Sequence, residues 1–138
     1  MVRIKYMLLI FCFAFSCQKY EVREAINSNS STERKEYIRA ISGENELLDI
    51  ELVKKGEVLI AYSDCYDCHK EDIRAKGPAF QDIAKRYPAN RIYIEHLANQ
   101  VIRGSSGSWG FPVMHPHLEI KKEDAKAMTT YILSLRSP

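Results

Sequence analysis

The chain has 138 residues, 46% hydrophobic and 28% charged, a length and balance typical of one soluble globular domain. Its formal charge of +2 comes from Arg3 and Lys5 alone, since the other basic side chains balance the 18 acidic ones. No basic tract is interleaved with aromatics, so nucleic acid is excluded as a partner class.

In chain order, Arg3 and Lys5 precede an unbroken apolar run from Tyr6 to Phe15. Roughly ten apolar residues is signal-peptide length, well short of the ~20 that span a bilayer as a helix. Residues 1–16 are therefore read as an export signal and left out of the fold. The competing reading, a buried first helix, has nothing to pack against in the polar segment that follows. Ser16-Cys17 ends the run and resembles the lipobox of bacterial lipoproteins, in which a small residue precedes a cysteine that is lipidated and becomes the new N-terminus. Ala14 stands where that family prefers Leu, and Phe15 is bulkier than usual. Lipid on Cys17 would tether a soluble domain to a membrane without a spanning helix; cleavage nearby, leaving Cys17 free, is the alternative.

Residues 17–45 are polar, with balanced charge and the run Asn27 to Thr32, and read as a tether or weakly ordered linker. A short helix over Glu33–Ile41 would have only a thin apolar face. The folded domain is expected over residues 46–138. There, Leu52, Gly56, Leu59, Ile60 and Ser63 repeat at helical spacing, with a glycine notch. A polar loop holds Asp64 to Lys76, Gly77-Pro78 signals a turn, and a short helix is expected over Ala79–Arg86, ended by Pro88. Asn90 can cap a helix over Arg91–Arg103, with Ile94, Leu97, Ala98, Val101 and Ile102 on one face and Gly104 as its stop. Residues 104–117 are rich in Gly and Pro and are expected to be an irregular loop. The last helix is expected over Glu123–Leu135, with Met128, Tyr131, Ile132 and Leu135 inward and a weakly signalled start at Lys121. No segment sustains period-two alternation, so the fold class is all-α, four or five short helices joined by long loops. So small a domain buries a modest core and needs something at its centre, such as a disulfide, a metal or a cofactor.

Cys65-Tyr66-Asp67-Cys68-His69 supplies a candidate for that centre. CxxCH is the attachment pattern of c-type haem. Two thiols three positions apart on one compact turn can each form a thioether with a porphyrin vinyl group, and the imidazole of the next residue then reaches the iron. An exported location agrees, because c-type haem is attached outside the cytoplasm in bacteria. Three other readings compete. A thioredoxin-like disulfide needs a strand-to-helix junction, whereas a helical segment precedes this motif. A zinc site needs four ligands at structural spacing, and no second CxxC or HxxxH exists. A merely structural disulfide is the third.

Haem iron in an electron carrier needs a second axial ligand. Met114 is the methionine that falls in the downstream loop, and thioether sulfur favours Fe(II) and raises the potential. A plain gap-filling role is the alternative for Met114. His115 and His117 flank it and could supply nitrogen instead, chiefly His117.

At this point the sequence resembles the bacterial class I monohaem cytochromes c of the short-loop type, over about residues 54–135. The resemblance rests on Gly56, Cys65-x-x-Cys68-His69, Gly77-Pro78, Ile102-x-Gly104-x-x-Gly107-x-Trp109-Gly110, Met114-x-Pro116 and Tyr131-Ile132. It implies a cytochrome c fold around one covalent haem c. It also implies that the Pro78 carbonyl accepts a hydrogen bond from His69 and that Trp109 packs beside the haem, its N–H available to a propionate. Gly56 would let the first helix cross the last near Tyr131. Arg91 or Arg103 would offset propionate charge. The sequence departs from the family in having Val113 before the methionine, where Pro is frequent, and Ile60 where a large aromatic is usual.

The expected function is electron transfer rather than enzymatic catalysis, with His69 and Met114 filling both axial positions of iron. The expected partners are redox proteins, for example a quinol-oxidising complex and a terminal oxidase. The expected state is a monomer, exported and periplasmic or anchored through Cys17. Two rivals remain: an open haem acting as a peroxidase or gas sensor, and a haem subunit permanently docked in a respiratory complex or redox enzyme.

Overall fold

The computed structural model describes residues 33–34 and 36–136. The export signal expected over 1–16 and the lipidation site expected at Cys17 lie outside the described residues. The chain divides into two compact units, Met1–Tyr37 and Ile38–Pro138. In the first, Glu33, Arg34, Glu36 and Tyr37 are helical. Every element named below belongs to the second.

Four helices carry the domain: α1 (Ile50–Ala61), α2 (Phe80–Arg86), α3 (Arg91–Arg103) and α4 (Lys122–Ser134). Asp49 caps α1 by accepting from Glu51 N–H at 2.9 Å, and Asn90 caps α3 by accepting from Tyr93 N–H at 3.1 Å. The first two N–H groups of α2 find no side-chain cap. Phe80 N–H and Gln81 N–H instead donate to the Lys70 and Glu71 carbonyls, both at 2.9 Å, so the loop before α2 serves as its cap. Lys121 gives α4 no side-chain cap either; Glu123 and Asp124 in its first turn offset that loss by facing the positive end of the helix dipole.

α4 is the hub, buried from Ala125 to Leu133 except at Lys126, and it packs against α1, α2 and α3. The core gathers Ile60 from α1, Phe80 and Ile83 from α2, Leu97 from α3, and Met128, Tyr131, Ile132 and Leu133 from α4. α1 and α4 meet at Gly56. A Cβ there would overlap the Ala127 carbonyl and come within 2.9 Å of Tyr131 Cβ, so only glycine permits the crossing. α3 joins α4 through Thr129, whose hydroxyl donates to Ile94 O at 3.2 Å, and through Glu95, which pairs with Lys122 and Lys126.

Three local expectations differ from the structure. Leu52, placed on the buried face of α1 by its spacing, is 39% exposed, and Val53, one position on, packs on the core instead. The face keeps its phase, with Gly56 and Ile60 buried as the spacing expects; Val53, three residues before Gly56 and seven before Ile60, also lies on it. Residues 104–117, expected to be irregular, contain a small antiparallel hairpin, β1 (Ser105–Gly107) and β2 (Gly110–Met114), with Ser105 opposite Met114 and Gly107 opposite Gly110. Strands this short cannot display alternation; glycines with φ of 80° and 92° at positions 107 and 110 turn the chain instead.

The third difference concerns where the domain begins. The helix expected to reach Ile41 ends at Ile38, where Arg39 takes a left-handed φ of 46°. Residues 41–46 then run as a strap along the α2–α3 corner. Ile41 N–H donates to Arg86 O and Glu46 N–H to Ala89 O, both at 2.7 Å. Asn45 Oδ1 accepts from Ala89 N–H at 2.8 Å, and Glu46 Oε2 accepts from Arg91 N–H, the first amide of α3, at 3.2 Å. The boundary expected at Glu46 therefore falls inside the compact unit. Polar composition suggested a linker because these bonds use backbone and carboxamide groups rather than apolar burial.

Candidate metal centre

The segment after α1 folds back on itself over a few residues. Cys65–Asp67 form one turn of 3₁₀ helix, and the amides of Cys68 and His69 both donate to Cys65 O, at 3.2 and 2.9 Å. Residues three and four apart on a single turn share a face, so Cys65, Cys68 and His69 line the same cleft. The two thiols are not joined to each other. Burial pushes the Cys65 thiol above its ordinary pKa, which keeps it protonated at neutral pH, while Cys68 is exposed.

His69 is held on three sides. Its Nδ1 lies 2.7 Å from Pro78 O. A carbonyl only accepts, so Nδ1 carries the proton and Nε2 keeps the ring's lone pair. The Phe80 ring stacks on the imidazole at 5.2 Å and 17°. Gly77 lies against it as well, since a Cβ at 77 would come within 2.6 Å of His69 Cε1. Gly77 N–H is itself bonded to Cys68 O at 2.8 Å. Burial lowers the His69 pKa, and the Pro78 bond only partly opposes this, so the ring is neutral and fit to ligate a metal.

The cleft holds about 540 Å³, a size suited to a bound cofactor. Ile60, Phe80, Ile83, Leu97, Met128 and Ile132 give it an apolar lining. The 104–117 segment adds Trp109, Met114, His115 and His117. That segment is pinned to the end of α3. Gly104 ends the helix with φ 75° and ψ 172°, and His117 N–H is shared between the carbonyls of Val101 and Ile102 at 3.2 and 3.1 Å. Met114 is the last residue of β2 and half-buried. His117 Nδ1 lies 3.6 Å from Glu119 and 3.9 Å from Asp64.

Cys65, Cys68, His69, Pro78, Trp109 and Met114, far apart in sequence, thus line one cavity. Neither Arg91 nor Arg103, expected near it, is among its lining residues. The arginine that approaches is Arg86, whose Nη1–H donates to Ser108 O at 2.6 Å and whose guanidinium carbon lies 4.6 Å from the Trp109 ring centroid. Nothing in the local sequence marks it, because the contact joins residues on different elements. The donor set fits a covalently held haem: two unjoined thiols, a neutral imidazole with a fixed tautomer, and an apolar slot of suitable volume.

Known proteins agree with that fit. A family model, Cytochrome c, matches residues 53–136. Cytochrome c-551 of Pseudomonas denitrificans is 36% identical over 81 residues, covering 59% of this chain and 98% of that protein. Cytochrome c-552 of Hydrogenobacter thermophilus is 35% identical over 82 residues, covering 58% of this chain and 81% of its own. The crystal structure of wild-type Nitrosomonas europaea cytochrome c552 aligns with a TM-score of 0.50 at 35% identity, over 64% of this chain and all of the other. A motif for haem attachment, a cleft that fits the group and this breadth of similarity agree: the chain belongs to the cytochrome c family, as a bacterial class I monohaem member that carries one covalently bound haem c and transfers electrons.

Proposed function

We propose that the haem is attached through Cys65 and Cys68, ligated by His69 and Met114, and used to pass one electron at a time between larger redox proteins. The observation that carries the ligand assignment is the His69–Pro78 bond. With Nδ1–H committed to a carbonyl at 2.7 Å, Nε2 is the imidazole's only lone pair, and His69 lines the same cleft as Met114 and both thiols. Bound there, haem supplies an iron that cycles between Fe(III) and Fe(II). The chain's part would be to hold the iron with His69 Nε2 and Met114 sulfur, so that neither oxygen nor peroxide would find an open site. It also surrounds the ring with apolar side chains and holds the ligands still. Phe80 and Gly77 do the last of these for His69, because between them they leave the ring no room to turn.

The partners in this reading are an electron donor and an electron acceptor, such as a quinol-oxidising complex and a terminal oxidase, met through small transient contacts. The balanced charge beyond residue 16 makes long-range steering weak. Export through residues 1–16 and lipid on Cys17 would leave a monomeric haem domain tethered at the periplasmic face of a membrane. No helix among the described residues is long and apolar enough to cross a membrane.

The mass and visible spectrum of the mature protein test these points together. The expected result is one haem, a chain beginning at a lipid-bearing Cys17, and a far-red sulfur-to-iron band in the oxidised form that Met114→Ala abolishes. A high-spin spectrum with tight carbon monoxide binding would remove Met114 from the iron. Colourless exported protein whose Cys65 and Cys68 both alkylate would remove the attachment. An unmodified Cys17 would remove the anchor.

A further inference from the structure

Arg86 stands at the end of α2, outside the cleft lining, yet it holds a part of the wall. Its Nη1–H donates to the Ser108 carbonyl at 2.6 Å, and its guanidinium carbon lies 4.6 Å from the centroid of the Trp109 ring. Ser108 and Trp109 are the two residues between Gly107 and Gly110, the tip of the hairpin, and both line the cleft. The guanidinium is thus bonded to the backbone of the turn and packed against the side chain that the turn presents. Its Nε–H is buried and makes no hydrogen bond, a costly arrangement for a polar group. The backbone of the same residue is also held, because Ile41 N–H of the strap donates to Arg86 O at 2.7 Å. The hairpin itself is a weak element. Two short strands with a register shift between Ser105 and Gly107 have little stability of their own, so its tip needs an external anchor.

We propose that Arg86 is a positioning residue for the haem: it clamps the tip of the hairpin so that the Trp109 indole stays packed against the haem and keeps water from that edge. The inference rests on the reading that Trp109 packs beside the haem. Its electronic consequence follows from burial. Excluding water favours the less charged, reduced iron, so a loosened tip lowers the reduction potential. The planar guanidinium suits this task, since it can donate in its own plane to a carbonyl while stacking on an indole.

Trp109 is the only tryptophan in the chain, so tryptophan emission reports this one contact. In the wild-type holoprotein the adjacent haem should quench that emission almost completely, and unfolding in guanidinium chloride should restore it. Arg86→Gln holoprotein, folded and with haem attached, should show severalfold faster hydrogen exchange of the Trp109 indole N–H than wild type and have a lower potential. Arg86→Lys keeps a cation and a donor but loses the planar fork, and should fall between the two in both readouts. If Arg86→Gln does not fold, the lysine variant alone decides the matter by the same two signals. Wild-type emission that is already bright before unfolding would defeat the placement of Trp109 beside the haem. Quenched wild type together with variants unchanged in indole exchange and potential would defeat the Arg86 assignment alone.

Discussion

The two segments that carry the candidate axial ligands are built differently. The His69 side, residues 64–78, is closed by its own short-range bonds. His69 N–H reaches Cys65 O, Gly77 N–H reaches Cys68 O, and His69 Nδ1–H reaches Pro78 O. The Met114 side, residues 104–117, borrows its shape from elsewhere. It is tied to the carbonyls of Val101 and Ile102 at the end of α3 and to Arg86 at the end of α2. One side is a compact loop that orients its histidine through its own bonds and the stacked Phe80 of the adjoining α2, while the other is a lid whose position depends on how the helices pack. Damage to the helical frame should therefore reach the methionine before the histidine.

Gly104→Ala should have the largest effect and should fall on the methionine side. The backbone there has φ 75° and ψ 172°, and a Cβ would lie 2.6 Å from the Met114 carbonyl. Conformational strain of about 1–3 kcal/mol adds to a clash with backbone that cannot swing aside. The expected result is a haem still covalently bound, loss of the far-red sulfur-to-iron band, and a marked fall in Tm. A band of wild-type intensity would show that the lid is not set by Gly104.

Gly77→Ala makes the matching break on the histidine side. Its Cβ would press within 2.6 Å of His69 Cε1 while Phe80 is stacked on the same ring. Overpacking of this kind costs about 1–3 kcal/mol. Thermal unfolding should register that loss, and the visible spectrum should change through the histidine while the sulfur band persists. If the two glycine variants gave the same spectrum, the independence of the two sides would be refuted.

Asn45→Ala sharpens the comparison from outside both segments. It removes the acceptor of the Ala89 N–H bond in the strap, at 2.8 Å. A loss of about 1 kcal/mol is expected in denaturant unfolding, with the sulfur band unchanged. A band that weakened in step with stability would tie the strap to the lid.

The smallest effect belongs to Glu95→Gln, which breaks surface ion pairs between α3 and α4. Hydrogen bonds from Lys122 and Lys126 hold the Glu95 carboxyl below its ordinary pKa. A native pKa below the unfolded one means that the pairing stabilises the fold above the unfolded carboxyl's pKa and is lost as pH falls through the native one. Wild type should be slightly more stable than Glu95→Gln at neutral pH, and the gap should close in acid or in high salt. A gap that persisted in acid would mean that the charge is not what the pair contributes.

The legibility of the molecule follows the same division. CxxCH was legible as a pattern because covalent haem attachment would need two thiols and an imidazole within one turn, which imposes a sequence spacing. The caps at Asn90 and Gly104 were legible for the same reason: each acts on residues within one helical turn. The glycine notch at Gly56 pointed to a close crossing, and Ala127 was found against it. The hairpin was not legible, because short strands carry no period. Arg86 was not, because its contact with Ser108 spans 22 positions and leaves no local mark. The strap was misread because polar residues that bond to another segment have the same composition as polar residues in water.

By itself, then, the order of amino acids determined a CxxCH turn as the candidate attachment site, a histidine and a methionine as candidate ligands, and the helical character of the chain. Each of these depends on groups a few positions apart or on a repeating apolar face. Tertiary packing decided that α4 is the hub, that the methionine segment hangs on α2 and α3, and that residues 41–46 belong to the domain. Those outcomes depend on contacts between distant segments, whose energies no local pattern records.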